Sequence, residues 1–332
     1  MALLDIFKSD AFGLASLTDA INRMPYKPAR IGEMGIFESQ GVTTRAIMVE
    51  ENNGVLSLLP TKRPGEPATQ ARAGKRTMRS FTVPHIPFND TVLASSVQGV
   101  RKFGSENETE GVAEVVNNRL AEMRQSHEAT LEYHRVGAIH GSLLDADGAT
   151  EIYNLFTEFG VTETTVDFVF ATATTDVRDT CITVIEAIED ALQNAPFTKV
   201  RAICGSTWFR ALIGHDSVKD AYYRFQDSVN LRNDPRKGFE FGGITFEVYR
   251  GSIGSVDFIN TSQARFFPEG VPGLFKTYYA PADFIETANT IGLPMYAKQK
   301  VMDYDRGIEI HTQSNPLCLC TRPLVLVKGT QS

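Results

Sequence analysis

The side chains that could do chemistry here are six histidines, four cysteines and one dense cluster of lysine and arginine. The histidines form no H-E-x-x-H, and none is spaced with a cysteine as zinc requires. His127, His134 and His140 follow one another at intervals of seven and six residues, which does not bring all three to one ion. They read as structural. Cys318-Leu319-Cys320 sits in an alternating stretch, so both sulfurs point to one face, and packing explains them better than metal or redox chemistry. Cys204-Gly205-Ser206 follows a strand pattern in the manner of a nucleophile turn. It lacks the G-x-S-x-G form, and no base can be assigned to it. There is no P-loop and no G-x-G-x-x-G, and Trp208 and Phe209 at a helix start read as core. These residues therefore predict no metal and no cofactor.

The cationic cluster is the sharper signal. Between Thr61 and Arg79 lie Lys62, Arg63, Arg72, Lys75, Arg76 and Arg79 against the single acid Glu66. The window is +5 in a chain of net charge −7, which leaves −12 for the remainder. The overall balance argues against general affinity for nucleic acid. The window also lacks the interleaved aromatics of a single-strand binder. It suits the acidic surface of another copy of the same chain. A hydrophobic content of 42% and a charged content of 22% are those of a globular protein. No apolar run approaches the length of about 20 residues needed to span a bilayer, and MALLDIFKSDAFG is no signal peptide. The scattered cysteines suit a reducing compartment.

The elements that must position this cluster centre on Ser105–Gly141. Val112, Val115, Val116, Leu120, Met123, His127, Leu131 and His134 recur at helical spacing. Ser105 and Glu108 form a capping box, and Gly141 offers a left-handed end. The spacing predicts one rod of roughly 48 Å. Its other face, with Glu114, Asn118, Arg119, Glu122, Arg124, Gln125, Glu128 and Glu132, is expected to meet water or a partner. Upstream, a short helix at Ser16–Arg23 belongs to an arm. VTTRAIMVE and GVLSLLP read as strands about the turn Asn52-Asn53-Gly54, and TMRSFTVPHIPF returns as an edge strand restricted by Pro84 and Pro87. The basic, Pro/Gly-rich stretch between them has no apolar anchor and projects. Together they make a two-stranded finger that needs a neighbour to cover it. Downstream come a turn at Asp145–Gly148 and strands at 150–156 and 165–170. A helix from Asp176 carries Ile182, Ile185, Ile188 and Leu192, and strands follow at 200–205 and 244–251. Two last strands in GIEIHTQSNPLCLCTRPLVLV are expected to return beside the long helix.

This order of elements resembles the major capsid protein of tailed bacteriophages, more narrowly the lambda-type family. The resemblance is firmest in DFINTSQARFF and in TYYAPADFIETANTIGLPMYAKQKVMDYDRGIEIHTQSNPLCLC, with Gln313, Ser314, Asn315, Pro316 and Leu317 forming the QS-x-P-L segment. RAICGSTWFRALIG is similar to the strand, turn and helix of that family's axial domain. The resemblance implies an α+β capsid fold. Residues 1–40 would form an N-terminal arm, 41–90 an extended loop, 91–164 a peripheral domain with spine helix 105–141, and 165–290 an axial domain. Residues 291–332 would supply strands returning to the peripheral domain. It also implies a virion protein, assembled in the host cytoplasm into hexamers and pentamers of an icosahedral shell around double-stranded DNA held without sequence-specific contacts. No enzyme, no cofactor and no membrane enter that picture. A separate scaffold protein, a portal and a decoration protein are the partners it expects. Subunit contacts are expected at Lys62, Arg63, Arg72, Lys75, Arg76 and Arg79 on the finger, and at Glu122 and Glu128 on the spine. Some relatives cross-link a lysine to an asparagine; no such set can be assigned here, and a shell without covalent links is expected. The competing readings are a non-viral, encapsulin-like compartment of the same fold, an α/β enzyme using Cys204 or the histidine-bearing helix, and a nucleic-acid binder using residues 62–79, which the missing aromatics weaken.

Overall fold

A computed structural model describes residues 14–23, 30–52, 76–97, 112–193, 195–219, 238–253 and 256–332. Short helices α1 (Leu14–Arg23) and α2 (Arg30–Met34) and a single helical turn at Ala94–Val97 precede the long helix α3 (Val112–His140). The 29 residues of α3 make a rod of about 43 Å; Ser105 and Glu108 lie outside the described residues. Val116, Leu120, Met123, His127, Leu131 and His134 are all buried, so the stripe faces inward as its spacing requires. Gly141 ends the helix at φ +78°, and a Cβ there would overlap the Phe156 ring.

The opposite face departs from expectation. Asn118, Arg119, Glu122 and Gln125 are exposed, but Arg124, Glu128 and Glu132 are buried at 8%, 8% and 1% exposure. The cause is that α1 and α2 fold back onto a second side of α3. Burial is tolerated because each charge is answered. Arg124 meets Glu128 at 2.6 Å and donates to the carbonyl of Ile21 in α1, while Glu132 accepts amides of α2.

Strands β15 (Tyr296–Val301), β16 (Gly307–Ser314) and β4 (Ile86–Leu93) form an antiparallel sheet in the order β15-β16-β4. Pro87 lies on an edge strand, where its missing N–H costs nothing. A core of Leu17, Ile21, Val92, Val116, Leu120, Met123, Ile308 and Ile310 joins this sheet to α1 and α3. A second sheet, β1 (Phe37–Gly41), β14 (Phe275–Tyr279) and β17 (Pro316–Cys320), carries β17 against α3. Residues 151–154 form β6, but Leu155–Phe159 is a helix, α4, capped by Asn154, where the sequence suggested continued strand.

The largest sheet among the described residues has six strands, β7 (Thr164–Phe168), β18 (Val327–Gln331), β13 (Ala264–Glu269), β8 (Lys199–Cys204), β10 (Ile244–Val248) and β9 (Phe239–Phe241), in that order. Asp176 caps helix α5 (Val177–Leu192) through the amides of Arg178 and Asp179. Its buried stripe is Val177, Cys181, Val184, Ile188 and Leu192, whereas Ile182 is 44% exposed. Two adjacent apolar stripes satisfied the helical period, and Cys181 fits against Gly242, which leaves no room for a Cβ. Helix α6 (Ser206–Gly214) follows β8. Trp208 sits at its start, fully buried among Phe168, Phe246 and Phe266.

The blocks exchange strands. β18 leaves the C-terminal segment and inserts between β7 and β13, and β14 leaves the 165–290 stretch to pair with β1 and β17. One hydrophobic core consequently runs from Ile31 through Leu131 and Trp208 to Val327. Leu120 lies at the centre of the smaller core with no exposure. Leu120→Ala should lower stability by about 2–5 kcal/mol, read as the urea midpoint of the unassembled subunit, and Leu120→Asp should leave no folded subunit.

Candidate functional site

The finger is built from β2 (Ala46–Asn52) and β3 (Arg76–Thr82), paired antiparallel from Ala46↔Thr82 to Asn52↔Arg76. The partner of β2 is thus the returning strand; GVLSLLP, expected beside it, lies outside the described residues. Alternation sends Ile47, Val49 and Phe81 inward. It leaves Met48 (65% exposed) and Met78 (58%) on the outer face, where they sit diagonally because Met48 opposes Ser80 and Met78 opposes Glu50.

The finger's root is fixed to its own subunit. The Phe81 ring lies 5.5 Å from Tyr153 and 5.9 Å from Phe159. The Tyr153 hydroxyl accepts the Thr82 N–H at 2.8 Å and donates to the Thr82 carbonyl at 2.9 Å. Arg79 stacks over the Phe159 ring at 4.8 Å and donates to the Phe159 carbonyl at 2.9 Å. Arg79, expected at a subunit contact, therefore faces inward and anchors the root. Arg76 closes the described ladder opposite Asn52, while Lys62, Arg63, Arg72 and Lys75 lie outside the described residues. Glu122 is exposed and is bound by Arg119 at 2.8 Å. Glu128, offered as a surface contact, is instead enclosed with Arg124, as α1 covers that face.

A second constellation ties the arm to both blocks. Glu132 accepts the N–H groups of Ile31 at 2.6 Å and Gly32 at 3.1 Å, and the hydroxyl of Tyr249 at 3.2 Å. Its burial pushes the carboxyl up from the usual glutamate range, and the two amides oppose that rise. Arg30 forks onto Glu247, with Nη2 to Oε2 at 2.8 Å. Glu247 also receives Arg201 at 2.8 Å, and Arg201 in turn binds Glu269, which Lys199 reaches at 3.3 Å. Sequence reading missed this chain of charges. The available signal was single charges of opposite sign inside apolar strands: Arg201 in KVRAIC, Glu247 in ITFEV, Glu269 in ARFFPE.

The residues first suspected of chemistry are packed away. Burial pushes the thiols of Cys181 and Cys320 up to about 12 and that of Cys318 to about 11, so none forms a thiolate near neutrality. Cys204 is raised by the same cause. His127 touches the Thr312 hydroxyl at 3.0 Å, and burial, with His311 nearby, holds its ring down to about 4. His134 is likewise held down to about 4 by burial, against a small upward pull from Asp145. Among the described residues no group of three or more histidine, cysteine or acidic side chains is arranged to hold a metal ion. No described helix is long and apolar enough to cross a membrane.

Comparison with known proteins agrees in sequence and in fold. The family model described as phage major capsid protein E matches residues 13–331. The major capsid protein of Pseudomonas phage KPP10 is 28% identical, over 96% of this chain and 96% of that one. That of Salmonella phage Felix O1 is 25% identical over 95% of each. Among solved structures, the capsid of Ralstonia phage GP4 superposes with a TM-score of 0.55 at 7% identity, covering 90% of this chain and 87% of that one.

The buried rings make stability depend on pH. Their folded pKa values are depressed, so the unfolded chain binds protons that the folded chain refuses between pH 6.5 and about 4. Stability should therefore fall as pH drops through that window, by on the order of 3 kcal/mol per ring at full effect. Denaturant unfolding at pH 7 and pH 4.5 measures the loss, and a His127→Gln/His134→Gln variant should lose markedly less.

Proposed function

The chain belongs to the phage major capsid protein E family, and from that premise we propose how its copies are joined. It is a structural protein of the virion, and its copies form the shell of the phage head. In our reading they do so as hexamers and pentamers that close an icosahedron around double-stranded DNA, without catalysing a reaction. A scaffold, a portal and a decoration protein are the partners this reading expects.

One observation carries the joining mechanism: a finger whose root is clamped on its own subunit while its outer face presents Met48 and Met78 to the outside. Two large apolar side chains on a two-stranded ribbon are stabilised when a neighbour covers them, at roughly 25 cal/mol per Å² removed from water. Lys62, Arg63, Arg72, Lys75 and Arg76 then lie over an acidic face of the next subunit, and Glu122 on the exposed side of α3 is one candidate receiver. Each exposed ion pair contributes about 0–1 kcal/mol, so charge sets register and encounter rate, and apolar burial supplies the larger share of cohesion. An acidic remainder on the chain also lets DNA lie against the wall without adhering to it.

Reversing charge in Arg72→Glu/Lys75→Glu/Arg76→Glu should cut shell yield in sedimentation and negative-stain microscopy while the subunit's unfolding transition stays put. Unchanged yield would remove the finger from the mechanism. Mature particles boiled in detergent and reductant should run as one band near 36.7 kDa. A ladder of pentamer and hexamer multiples would mean that covalent links hold the shell.

A further inference from the structure

Strand β4 carries little apolar burial of its own. It lies on the edge of its sheet, and of its eight residues only Val92 is buried. It is also the connection between finger and spine, since residues 83–85 join it to β3 and α3 is the next long element in the chain. Three hydrogen-bonded links tie this stretch to its neighbours, and a histidine takes part in each. His127 Nε2 of α3 meets the Thr312 hydroxyl of β16 at 3.0 Å, and that hydroxyl reaches the Phe88 carbonyl of β4 at 3.2 Å. A carbonyl only accepts, so Thr312 gives its one proton to Phe88 and accepts from His127. The ring is therefore the Nε2–H tautomer, and it stands edge-on to the Phe88 ring at 6.2 Å. His311 Nδ1 of β16 meets Asn89 Oδ1 across the ladder. His85 Nδ1, one residue before β4, meets Asn315 Oδ1 at 2.9 Å. The Asn315 amide nitrogen donates to the Pro281 carbonyl at 2.8 Å, which turns Oδ1 toward His85 and makes Nδ1 the donor. An ion pair between Arg119 of α3 and Asp90, at 3.6 Å, is a fourth tie.

We propose that β4 is an acid-released strap: near neutral pH it holds the finger's return strand to the spine helix, and it opens from α3 and β16, ahead of general unfolding, when the surrounding histidines take up protons. The strap is a property of the single subunit and stands apart from how copies are joined. Few acids are free to stabilise charged rings here. Arg124 and Glu128, which flank His127 on α3, are paired with each other, and Asp90 is paired with Arg119. Lys298 of β15 stands opposite His311 and is bound to Glu286. Burial and the nearby His85 lower His311, against an upward pull from Glu309. Burial, with His311 beside it, holds His127 down to about 4. The closed strap thus refuses protons that the open strap accepts, and acid favours opening. With His127 at its ordinary 6.5 in the open form, the opening equilibrium rises about twentyfold from pH 7 to pH 5.

Hydrogen exchange of the full-length chain, read by mass spectrometry at pH 7 and pH 5 with labelling times scaled for the intrinsic pH dependence of exchange, tests this. Peptides covering residues 86–93 should exchange well ahead of those covering β8 and β13 at both pH values, and their opening should rise about twentyfold at pH 5. His127→Gln keeps an N–H for Thr312 but cannot be charged; joined to His311→Gln, it should hold the change to within about threefold. Equal opening of 86–93 at the two pH values would overturn the strap. So would exchange of 86–93 in step with β8 and β13, because acid would then act on the subunit as a whole, and so would a double variant that responds like the unaltered chain. Should the double variant fail to fold, the nitrogen chemical shifts of the His127 ring in the unaltered chain decide. They should show Nε2 protonated and Nδ1 bare at pH 7; the other tautomer, or a charged ring, would remove the relay on which the strap depends.

Discussion

Glu132 is the point from which the arrangement of the subunit follows. One carboxylate, at 1% exposure in the middle of the long helix, is held by two amides of α2 and the hydroxyl of Tyr249. Helix α3 supplies the acceptor, and α2 and Tyr249 supply the donors, so none of the three can shift without leaving a buried carboxylate short of partners. The Arg30–Glu247–Arg201–Glu269 chain extends the same constraint across the six-stranded sheet. Replacing such a network by apolar residues is often neutral for stability, whereas removing one member is not. What the network contributes is geometry: a fixed angle between the α3 rod and the sheet beside it.

That fixed frame makes the finger useful. A ribbon of two strands is marginal on its own, yet the Phe81–Tyr153–Phe159 cluster and the Arg79 clamp give it a rigid root. The subunit thus divides labour along one hairpin. The inner face satisfies its own chain, and the outer face, with Met48 and Met78, is left for others. Rigid presentation lowers the ordering entropy lost on association, which matters when individual contacts are weak and are repeated by symmetry.

Much of this was legible in the sequence, and what was not has physical causes. The long helix declared itself through six apolar positions and two histidines at helical spacing without a proline, the turn at Asp145–Gly148 through its glycine, and α5 through Asp176. Arg124, Glu128 and Glu132 misled because the partners that make their burial tolerable, the Ile21 carbonyl and the α2 amides, lie about a hundred residues away in the chain. The α5 stripe was ambiguous because Ile182 and Ile185 satisfied the same period as Cys181 and Val184. Strand partners across long intervals, such as β18 with β7, leave no local trace, whereas the return of residues 76–82 to the finger could be read from the sequence. The finger's cationic cluster was visible at once, but only the docked root separated Arg79 from the rest.

The insertion of β18 between β7 and β13 also has a meaning for biosynthesis. In the six-stranded sheet, β18 is the strand made last, yet it occupies an interior slot. Until it is in place, β7 has no neighbour in the sheet and β13 shows a raw edge. A nascent or prematurely terminated chain is thus left with an open seam that attracts aggregation or proteolysis. Closing that seam requires the strand at Val327–Gln331, so a chain cut short before it keeps β7 unpaired in the sheet and one side of β13 open.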